Sequence, residues 1–274
     1  MLDFKLRLVS VLITLTTLVV ICLVLDYFHL LRRPWRLGLY LGVLGIIGAG
    51  TLMTNAVLPT SLFYGDIYYQ GSDSEKRVAL TFDDGPNPLY TSQILDILER
   101  HDVEATFFLI GKNVEAYPAV AREIVERGHQ IGNHSFTHPD LLKLNGEHIS
   151  WEIDNTAKII EQETGVRPTV FRPPHGFRDP VVMEKARQRN LQVVQWTVMA
   201  RDWKNPGAEV IADRIVGKIK NGSIILLHDG DGLVPGADRS QTVAATELII
   251  DRLQKLGYRF VTVDELLADS KPKD

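Results

Sequence analysis

The segment Val78-Ala-Leu-Thr-Phe-Asp-Asp-Gly85 determines how the rest of the chain is organised. Apolar residues of strand type run directly into two adjacent carboxylates and a glycine, which predicts a buried strand that ends in a tight turn. Because neighbouring residues of a strand point to opposite faces, Asp83 and Asp84 can act at one site only if the backbone turns sharply there. We expect Gly85 to permit that turn.

The composition excludes some classes of protein. The chain has 274 residues and a formal net charge of -4, and its pI is near 6.1. It lacks the basic excess that is typical of nucleic-acid-binding proteins, so we expect no nucleic-acid partner. Cys22 is the single cysteine of the sequence, so neither an intrachain disulfide nor a cysteine metal cluster can form.

The longest apolar stretches lie near the N-terminus. The uncharged segments 8–25 and 37–58 are each long enough to cross the hydrocarbon core of a bilayer. The first segment could instead be the apolar region of a signal peptide, although no small-residue cleavage site follows it. We predict two transmembrane helices, which form a membrane anchor and linker over residues 1–70.

The basic residues around these two segments predict their orientation. Arg32, Arg33 and Arg36 lie in the connector, whereas no lysine or arginine follows the second segment until Lys76. Positively charged loops stay in the cytoplasm, so we expect a two-span protein of the cytoplasmic membrane with its large C-terminal domain outside the cytoplasm.

Strand patterns alternate with helix patterns from residue 78 onward. The predicted strands are 78–83, 105–110, 129–133, 169–172, 192–198, 223–228 and 259–263. The predicted helices lie near residues 90–100, 114–127, 147–163, 180–189, 208–220 and 242–256. Such alternation predicts an α/β fold with parallel strands and crossover helices, and seven strands favour a barrel over an open sheet. In either architecture the active site lies at the carboxyl ends of the strands.

Polar and titratable residues follow five of the predicted strands. In chain order they are Asp83 and Asp84, His134 and His138, Arg172 and His175, Asp202 and Trp203, and His228. Because these groups directly follow the most apolar segments of the chain, solubility does not explain them. Their common position predicts a single functional site.

His134 and His138 indicate that this site binds a metal ion. Their i, i+4 spacing lets one helical turn bring both imidazoles to a common face, and Pro139 prevents that turn from continuing. Two imidazoles with one carboxylate form a metal site that keeps open positions. Non-haem iron oxygenases use the same ligand set, but a second aspartate and a further histidine are better suited to hydrolysis.

Five ordered motifs resemble those of the polysaccharide deacetylase family, the NodB-homology domain of carbohydrate esterase family 4. They are Thr81-Phe-Asp-Asp-Gly85, His134-Ser-Phe-Thr-His138, Arg172-Pro-Pro-His-Gly176, Asp202-Trp203 and Leu226-Leu-His228. The resemblance covers a domain at 77–267, which a tail at 268–274 follows. It implies a distorted (β/α) barrel with about seven parallel strands and the metal-dependent removal of N-acetyl groups from amino sugars.

The resemblance also implies a role for the metal-binding and basic residues. Asp84, His134 and His138 would bind a divalent metal, most often zinc. Asp83 would be the general base that takes a proton from water, and Arg172 would fix its orientation.

The remaining motif residues would act on the leaving group and the substrate. The resemblance implies that His228 is the general acid and that Asp202 holds it in its protonated form. The backbone N–H of residue 175 would help to stabilise the oxyanion. Substrate contacts are implied for Pro174, His175, Trp203 and Leu226, although core packing is an alternative role for Trp203 and Leu226.

The chain departs from the family pattern at two positions. His175 stands where the third motif usually has an aromatic residue, and Met199-Ala-Arg201 precedes Asp202 where the fourth motif usually begins with an aspartate and a serine. The backbone donor and the Asp202-Trp203 pair are retained. The departures therefore leave the predicted chemistry in place and bear on the choice of substrate.

These observations predict an enzyme that removes N-acetyl groups from the amino sugars of a cell-surface polysaccharide such as peptidoglycan. In an alternative hypothesis, the enzyme has the same chemistry but acts on an amino sugar linked to a lipid carrier, as a deacetylase or a deformylase. An alternative from another class is a non-catalytic glycan-binding module. Asp83, Arg172 and His228 argue against that module, because a binding protein needs neither a base nor an acid.

Overall fold

The computed structural model describes residues 17–22, 24–27, 33–234 and 236–268, with only the backbone described at 33–36. The chain divides into two compact units, with the boundary between Asn55 and Ala56. The predicted tail at 268–274 lies outside the described residues except for Ala268.

The described residues of the first unit are helical. Helix α1 (Arg33–Val57) contains a segment, Leu37–Val57, that is long and apolar enough to cross a membrane, a property that signal sequences share. A shorter apolar helix covers the described residues of Thr17–Tyr27. The structure thus supports one of the two predicted spans, and residues 8–16 of the other lie outside the described chain.

The second unit is built on one sheet of parallel strands. Within the described residues these are β1 (Arg77–Gly85), β2 (Thr106–Leu109), β3 (Gln130–Asn133), β4 (Val170–Phe171), β5 (Gln192–Val193), β6 (Val198–Met199), β7 (Ile224–His228) and β8 (Arg259–Phe260). Their order is β5-β4-β3-β2-β1-β7-β6, and β8 pairs with the first residues of β1. Every pair is parallel, as the alternating sequence pattern predicted.

Helices flank this sheet. They are α2 (Tyr90–Arg100), α3 (Gly111–Ala116), α4 (Pro118–Glu126), α5 (Gly146–Thr164), α6 (Pro180–Arg187), α7 (Ala208–Val216), α8 (Ser240–Lys255) and α9 (Val263–Ala268). Single 3₁₀ turns at Leu141–Lys143, Pro174–Gly176 and Asp202–Lys204 follow strand ends. The resemblance implied a distorted (β/α) barrel with about seven parallel strands, and the described residues form a curled parallel half-barrel.

Three predicted elements differ from the observed ones. The predicted helix 114–127 is divided because Pro118 cannot continue α3, and it instead occupies the first position of α4. The predicted strand 192–198 is two short strands, β5 and β6. The predicted strand 259–263 ends at Phe260, and α9 begins at Val263.

β1 lies at the centre of the hydrophobic core. All of its residues except Arg77 are buried, which explains its nearly continuous apolar sequence. Leu80 and Phe82 pack in a cluster with the helices, whereas Ala79 belongs to a cluster inside the curl of the sheet. By strand alternation the inner face also carries Thr81 and Asp83, so β1 delivers a carboxylate to the interior of the curl.

The residues before β1 are packed into the second unit. Ile67 is 1% exposed, the Tyr68 backbone N–H donates to the Val193 carbonyl at 2.8 Å, and the Gln195 N–H donates to the Tyr68 carbonyl at 2.7 Å. Gln70 forms a bridge with Ser223 near the start of β7. We predicted a catalytic domain at 77–267 after a linker, and the compact unit extends further, to Ala56.

Candidate active site

The end of β1 places two neighbouring carboxylates at one site. The register of β1 against β2 shifts between Asp83 and Gly85, and Asp84 has a φ of 77°. This left-handed conformation interrupts the strand alternation, so both Asp83 and Asp84 face His134. The turn is centred on Asp84 and not on Gly85 as predicted. Gly85 is needed for space, because an added Cβ would lie 2.4 Å from a carboxylate oxygen of Asp229.

Asp84, His134 and His138 form a cluster suited to a metal ion. Their candidate ligand atoms all lie within 4.8 Å of one another, and Asp84 Oδ1 is 3.5 Å from His134 Nε2 and 3.2 Å from His138 Nε2. Asp84 Oδ1 is buried and accepts no hydrogen bond from any described residue. A buried carboxylate oxygen between two imidazoles fits a divalent cation, since such an oxygen otherwise needs a donor.

The tautomer of His134 also fits metal binding. Its Nδ1 lies 2.6 Å from the Arg172 carbonyl oxygen. A carbonyl can only accept, so Nδ1 carries the proton and the Nε2 lone pair faces the cluster. Burial lowers the pKa of His138 to about 4, despite the opposing effect of Asp84, which keeps this imidazole neutral as a ligand must be.

The segment between the two histidines is a loop, so the predicted helical turn is wrong. Ser135 and His138 have φ values of 66° and 56°, and a right-handed helical turn cannot contain them. Asn133 Oδ1 accepts from the Ser135 N–H at 2.9 Å, and Ser135 Oγ accepts from the His138 N–H at 3.1 Å. Side-chain acceptors therefore hold the loop in the conformation that brings both imidazoles to Asp84.

Glu152 of α5 is the main anchor of this loop. Its buried carboxylate accepts from the Phe136 N–H at 2.7 Å, the Thr137 N–H at 2.8 Å and the Thr137 hydroxyl at 2.6 Å. Three hydrogen bonds to one buried anion rigidify the residues between the two metal-binding histidines. The sequence predictions missed Glu152 because it lies 14 positions after His138, within an ordinary helix.

Asp83 is held by a buried arginine. Arg172 is fully buried and donates from one guanidinium nitrogen to Asp83 Oδ1 at 2.7 Å and to the Thr81 hydroxyl at 2.8 Å. Its guanidinium carbon lies 4.0 Å from the centre of the Phe108 ring. The other oxygen of Asp83 is 3.7 Å from His134 Nε2, so Arg172 leaves it facing the metal cluster.

His228 and Asp202 form a second pair beside the first. His228 pairs with Asp83 in the register of β7 and β1. Its Nδ1 lies 3.0 Å from Asp202 Oδ1, and its N–H donates to Asp202 Oδ2 at 2.8 Å. Burial opposes protonation of His228, but Asp202, with smaller effects of Asp84 and Asp83, raises the pKa of His228 to about 9. The imidazole is therefore cationic at neutral pH and can donate a proton.

Pro174 and His175 lie in the turn that follows β4. Pro174 is buried, whereas His175 is exposed and has a φ of 60°. The His175 ring is edge-on to the ring of His138, with the centroids 4.8 Å apart. His175 thus borders the metal cluster from the solvent side.

The other two predicted substrate contacts differ in exposure. Trp203 is half-buried, and its ring lies edge-on to His228 with the centroids 5.0 Å apart. Leu226 is only 3% exposed and packs with the core cluster inside the curl of the sheet. Trp203 therefore offers a surface next to His228, while Leu226 is part of the buried core.

Comparison with known proteins identifies the family of this chain. A sequence profile described as polysaccharide deacetylase matches residues 70–194. A peptidoglycan-N-acetylglucosamine deacetylase from Bacillus cereus is 42% identical over 205 residues, which are 74% of this chain and 93% of that protein. The chain belongs to the polysaccharide deacetylase family.

Solved structures of two related proteins share the fold of this polysaccharide deacetylase. The Bc1960 peptidoglycan N-acetylglucosamine deacetylase superposes with a TM-score of 0.73 and 37% identity, covering 79% of this chain and 100% of that one. BA3943 from Bacillus anthracis, described as a CE4 family pseudoenzyme, has a TM-score of 0.67 and 36% identity, covering 73% of this chain and 68% of that one. The same fold thus occurs with and without activity, so activity depends on the site residues and not on the fold alone.

Two further residues lie near the carboxylates of this deacetylase, and the motif analysis did not assign them. Asn113 donates to the Asp84 carbonyl at 2.8 Å and to the Gly232 carbonyl at 3.2 Å, which holds the left-handed turn. Asp229 is fully buried and accepts a hydrogen bond from the Thr91 hydroxyl. Burial, together with nearby Asp84, raises the pKa of Asp229 to about 7. Both residues contact backbone or neighbouring side chains, which motif spacing does not reveal.

Proposed function

We propose that this polysaccharide deacetylase removes the acetyl group from N-acetylglucosamine residues of peptidoglycan with the help of a bound zinc ion. One observation carries the proposal: the Asp84, His134 and His138 cluster lies beside a carboxylate held by Arg172, and a protonated histidine held by Asp202 pairs with that carboxylate in the register of β7 and β1. The named relatives that act on peptidoglycan N-acetylglucosamine support this choice of substrate.

Asp84, His134 and His138 would hold the metal. Zinc fits two imidazoles and a carboxylate with positions left open. When bound, a divalent cation polarises the acetyl carbonyl and lowers the pKa of water. Glu152 and the Arg172 carbonyl keep the two imidazoles in place for this task.

Asp83 acts as the general base. Its oxygen that faces the cluster takes a proton from the water molecule that attacks the acetyl carbon. The hydrogen bond from Arg172 at 2.7 Å fixes the direction of the carboxylate. General bases of this kind contribute about 10²- to 10⁴-fold to the rate.

His228 acts as the general acid. After the attack, the bond between the carbonyl carbon and the sugar nitrogen breaks, and His228 gives its proton to that nitrogen. Acetate and a free amine are the products. Asp202 keeps His228 protonated and orients its ring through Nδ1, so that Nε2 carries the transferred proton.

The turn at His175 and the ring of Trp203 complete the site. The backbone N–H of His175 stabilises the oxyanion of the tetrahedral intermediate. The His175 imidazole and Trp203 provide surfaces for the sugar and the acetyl methyl group, with Pro174 and Leu226 supporting them from the buried side.

We further propose that this reaction takes place at a membrane. The segment Leu37–Val57 has the length and composition of a span, and Tyr40 donates a hydrogen bond to Asp26 at 2.6 Å, which ties it to the preceding helix. These features support a two-span anchor in the cytoplasmic membrane. The arginines between the spans support an active site outside the cytoplasm.

Acetate release from three substrates tests the proposal. Purified protein with added zinc is given peptidoglycan fragments, a chitooligosaccharide and a lipid-linked N-acetyl amino sugar. We expect chelator-sensitive acetate release from peptidoglycan, and a loss of about 10²- to 10⁴-fold in the Asp83→Asn variant with zinc still bound. Release from the lipid-linked sugar alone would replace the proposed substrate.

Full retention of activity in Asp83→Asn would show that another group is the base. A wild-type protein that binds zinc but releases acetate from none of the substrates would place it with the pseudoenzymes. The general base Asp83 with Arg172 and the general acid His228 with Asp202 are both present, which favours an active enzyme.

A further inference from the structure

Arg178 is a buried cation whose partners are backbone oxygens. It is 1% exposed, and no carboxylate among the described residues forms an ion pair with it. Burial lowers the pKa of Arg178 to about 10, so the guanidinium remains charged at neutral pH. A buried charge without a counterion is costly, and its retention requires an explanation.

Two of the oxygens that bind this guanidinium belong to the segment 56–61, which contains the end of α1. Arg178 donates to the Leu58 carbonyl at 2.7 Å and to the Ser61 carbonyl at 2.6 Å, and its own N–H donates to the Ala56 carbonyl at 3.0 Å. The last turn of α1 contains no basic residue. Arg178 therefore supplies the cation and the donors that the carboxyl end of a helix needs.

The third oxygen belongs to the turn at His175. Arg178 donates to the Gly176 carbonyl at 3.1 Å, and the Gln195 amide donates to the same oxygen at 3.3 Å. His175 and Gly176 have φ values of 60° and 72°, two successive residues in the left-handed region. For a residue with a side chain this conformation is strained, and it persists only where surrounding contacts hold it.

We propose that Arg178 is a positioning residue of the deacetylation site, which anchors the His175–Gly176 turn to segment 56–61. The inference rests on the proposed function, because it assigns the His175 N–H to the oxyanion. Arg178 thus links the residues that follow α1 to the turn that carries the oxyanion donor. Among the described residues, neither the metal ligands nor the acid and base pairs form a hydrogen bond or an ion pair with Arg178.

The test compares full-length variants in detergent. Arg178→Met removes all side-chain donors and retains most of the volume, and Arg178→Lys keeps the charge but lacks the planar fork that binds several oxygens. Arg187→Met, at an exposed arginine paired with Glu184 in α6, is the matched control. Acetate release, bound zinc and the midpoint of thermal unfolding are measured for each protein.

We expect kcat of Arg178→Met to fall by about 10²-fold, as a displacement of the oxyanion donor by about 1 Å would cause. Arg178→Lys should lie between it and wild type. KM and the zinc content should stay within about twofold of wild type, because the metal ligands are untouched. Arg187→Met should match wild type in every measurement.

A lower unfolding midpoint with unchanged kcat would overturn the proposal, because it would show that Arg178 only caps the helix. Should the methionine variant not fold, the lysine variant decides: an unchanged kcat there overturns the proposal, and a reduced kcat at full zinc content supports it. A wild-type protein without activity in the same assay would instead reject the proposed function itself.

Discussion

β3 has a buried histidine at each end, and the two lie in opposite chemical settings. His129 precedes the strand and is 7% exposed, and neither of its ring nitrogens has a hydrogen-bond partner among the described residues. Its ring lies beside Phe107, with the centroids 5.7 Å apart. His134 follows the strand and is 2% exposed, but its Nδ1 bonds to the Arg172 carbonyl and its Nε2 faces two carboxylates.

The electrostatic consequences differ in sign. Burial opposes protonation at both positions. It lowers the pKa of His129 to about 4, with a smaller contribution of the same sign from Arg127. At His134 the nearby Asp83 and Asp84 overcome burial and raise the pKa. Burial alone therefore does not identify a functional histidine; the partners gathered at the carboxyl ends of parallel strands do.

Replacement of His134 should have the largest effect on zinc binding and on acetate release. We predict that His134→Ala loses bound zinc and at least about 10³-fold in acetate release, because the metal supplies several kcal/mol of transition-state stabilisation. His129→Phe should retain both properties at pH 7. Zinc content and acetate release measure the contrast, and a comparable loss of zinc in His129→Phe would remove the distinction between the two ends of β3.

The next effect concerns the proton donor at the same edge of the sheet. A general acid works only while protonated, so activity should fall above the His228 pKa of about 9. Asp202→Asn removes the main cause of the raised pKa and should move the alkaline limb of kcat/KM toward the ordinary pKa of histidine. At pH 8.5 this predicts a loss of roughly 10- to 100-fold relative to wild type. An alkaline limb that does not move would mean that His228 is not the titrating acid.

A smaller effect is expected at Glu152. Glu152→Gln keeps the shape of the side chain but removes the carboxylate that accepts three hydrogen bonds from the loop between His134 and His138. Such supporting contacts contribute about 10- to 100-fold to metal affinity. Competition with a chelator measures zinc affinity, and Glu147→Gln, an exposed position of the same helix, is the control. Equal affinities in the two variants would show that the loop holds its conformation without Glu152.

The smallest effect concerns the other end of β3. The folded-state pKa of His129 lies below its unfolded value, so its contribution to stability is present above pH 6.5 and is lost as the pH falls toward 4. Between pH 7 and pH 5 wild type should lose on the order of 2 kcal/mol more than His129→Phe. Urea unfolding of both proteins at the two pH values measures this difference. If the difference in the free energy of unfolding between the two proteins does not change with pH, His129 has a hydrogen-bond partner that stabilises its protonated form.

The sequence was informative where local patterns determine the outcome. The apolar run of β1, the glycines and prolines between elements and the alternation of strand and helix patterns predicted the parallel sheet, because these features act over a few residues. The position of Asp83, Asp84, His134 and His228 at one edge followed from the geometry of parallel strands, which requires no tertiary detail.

The supporting contacts could not be predicted in the same way. Glu152 binds backbone N–H groups 15 and 16 positions away, and Arg178 binds the carbonyl of Leu58, 120 positions away. A backbone group is present at every position, so no residue type in the sequence marks these contacts. The left-handed conformation of Ser135 and His138 could not be predicted either, because side-chain acceptors and not glycine residues stabilise it. Spacing alone suggested a helical turn for the two histidines because it carries no information on these acceptors.

The extended residues 68–70 limit how this protein can be recombined with other modules. They bridge Val194 and Ser223, so a stretch that precedes the first strand takes part in the architecture of the catalytic unit. In gene fusion, a foreign secretion signal or cell-wall-binding module would have to replace sequence upstream of Ala56. A junction placed at the start of β1 would discard Ile67, Tyr68 and Gln70. The backbone groups of Val193 and Gln195 that bond to Tyr68 would then lose their partners.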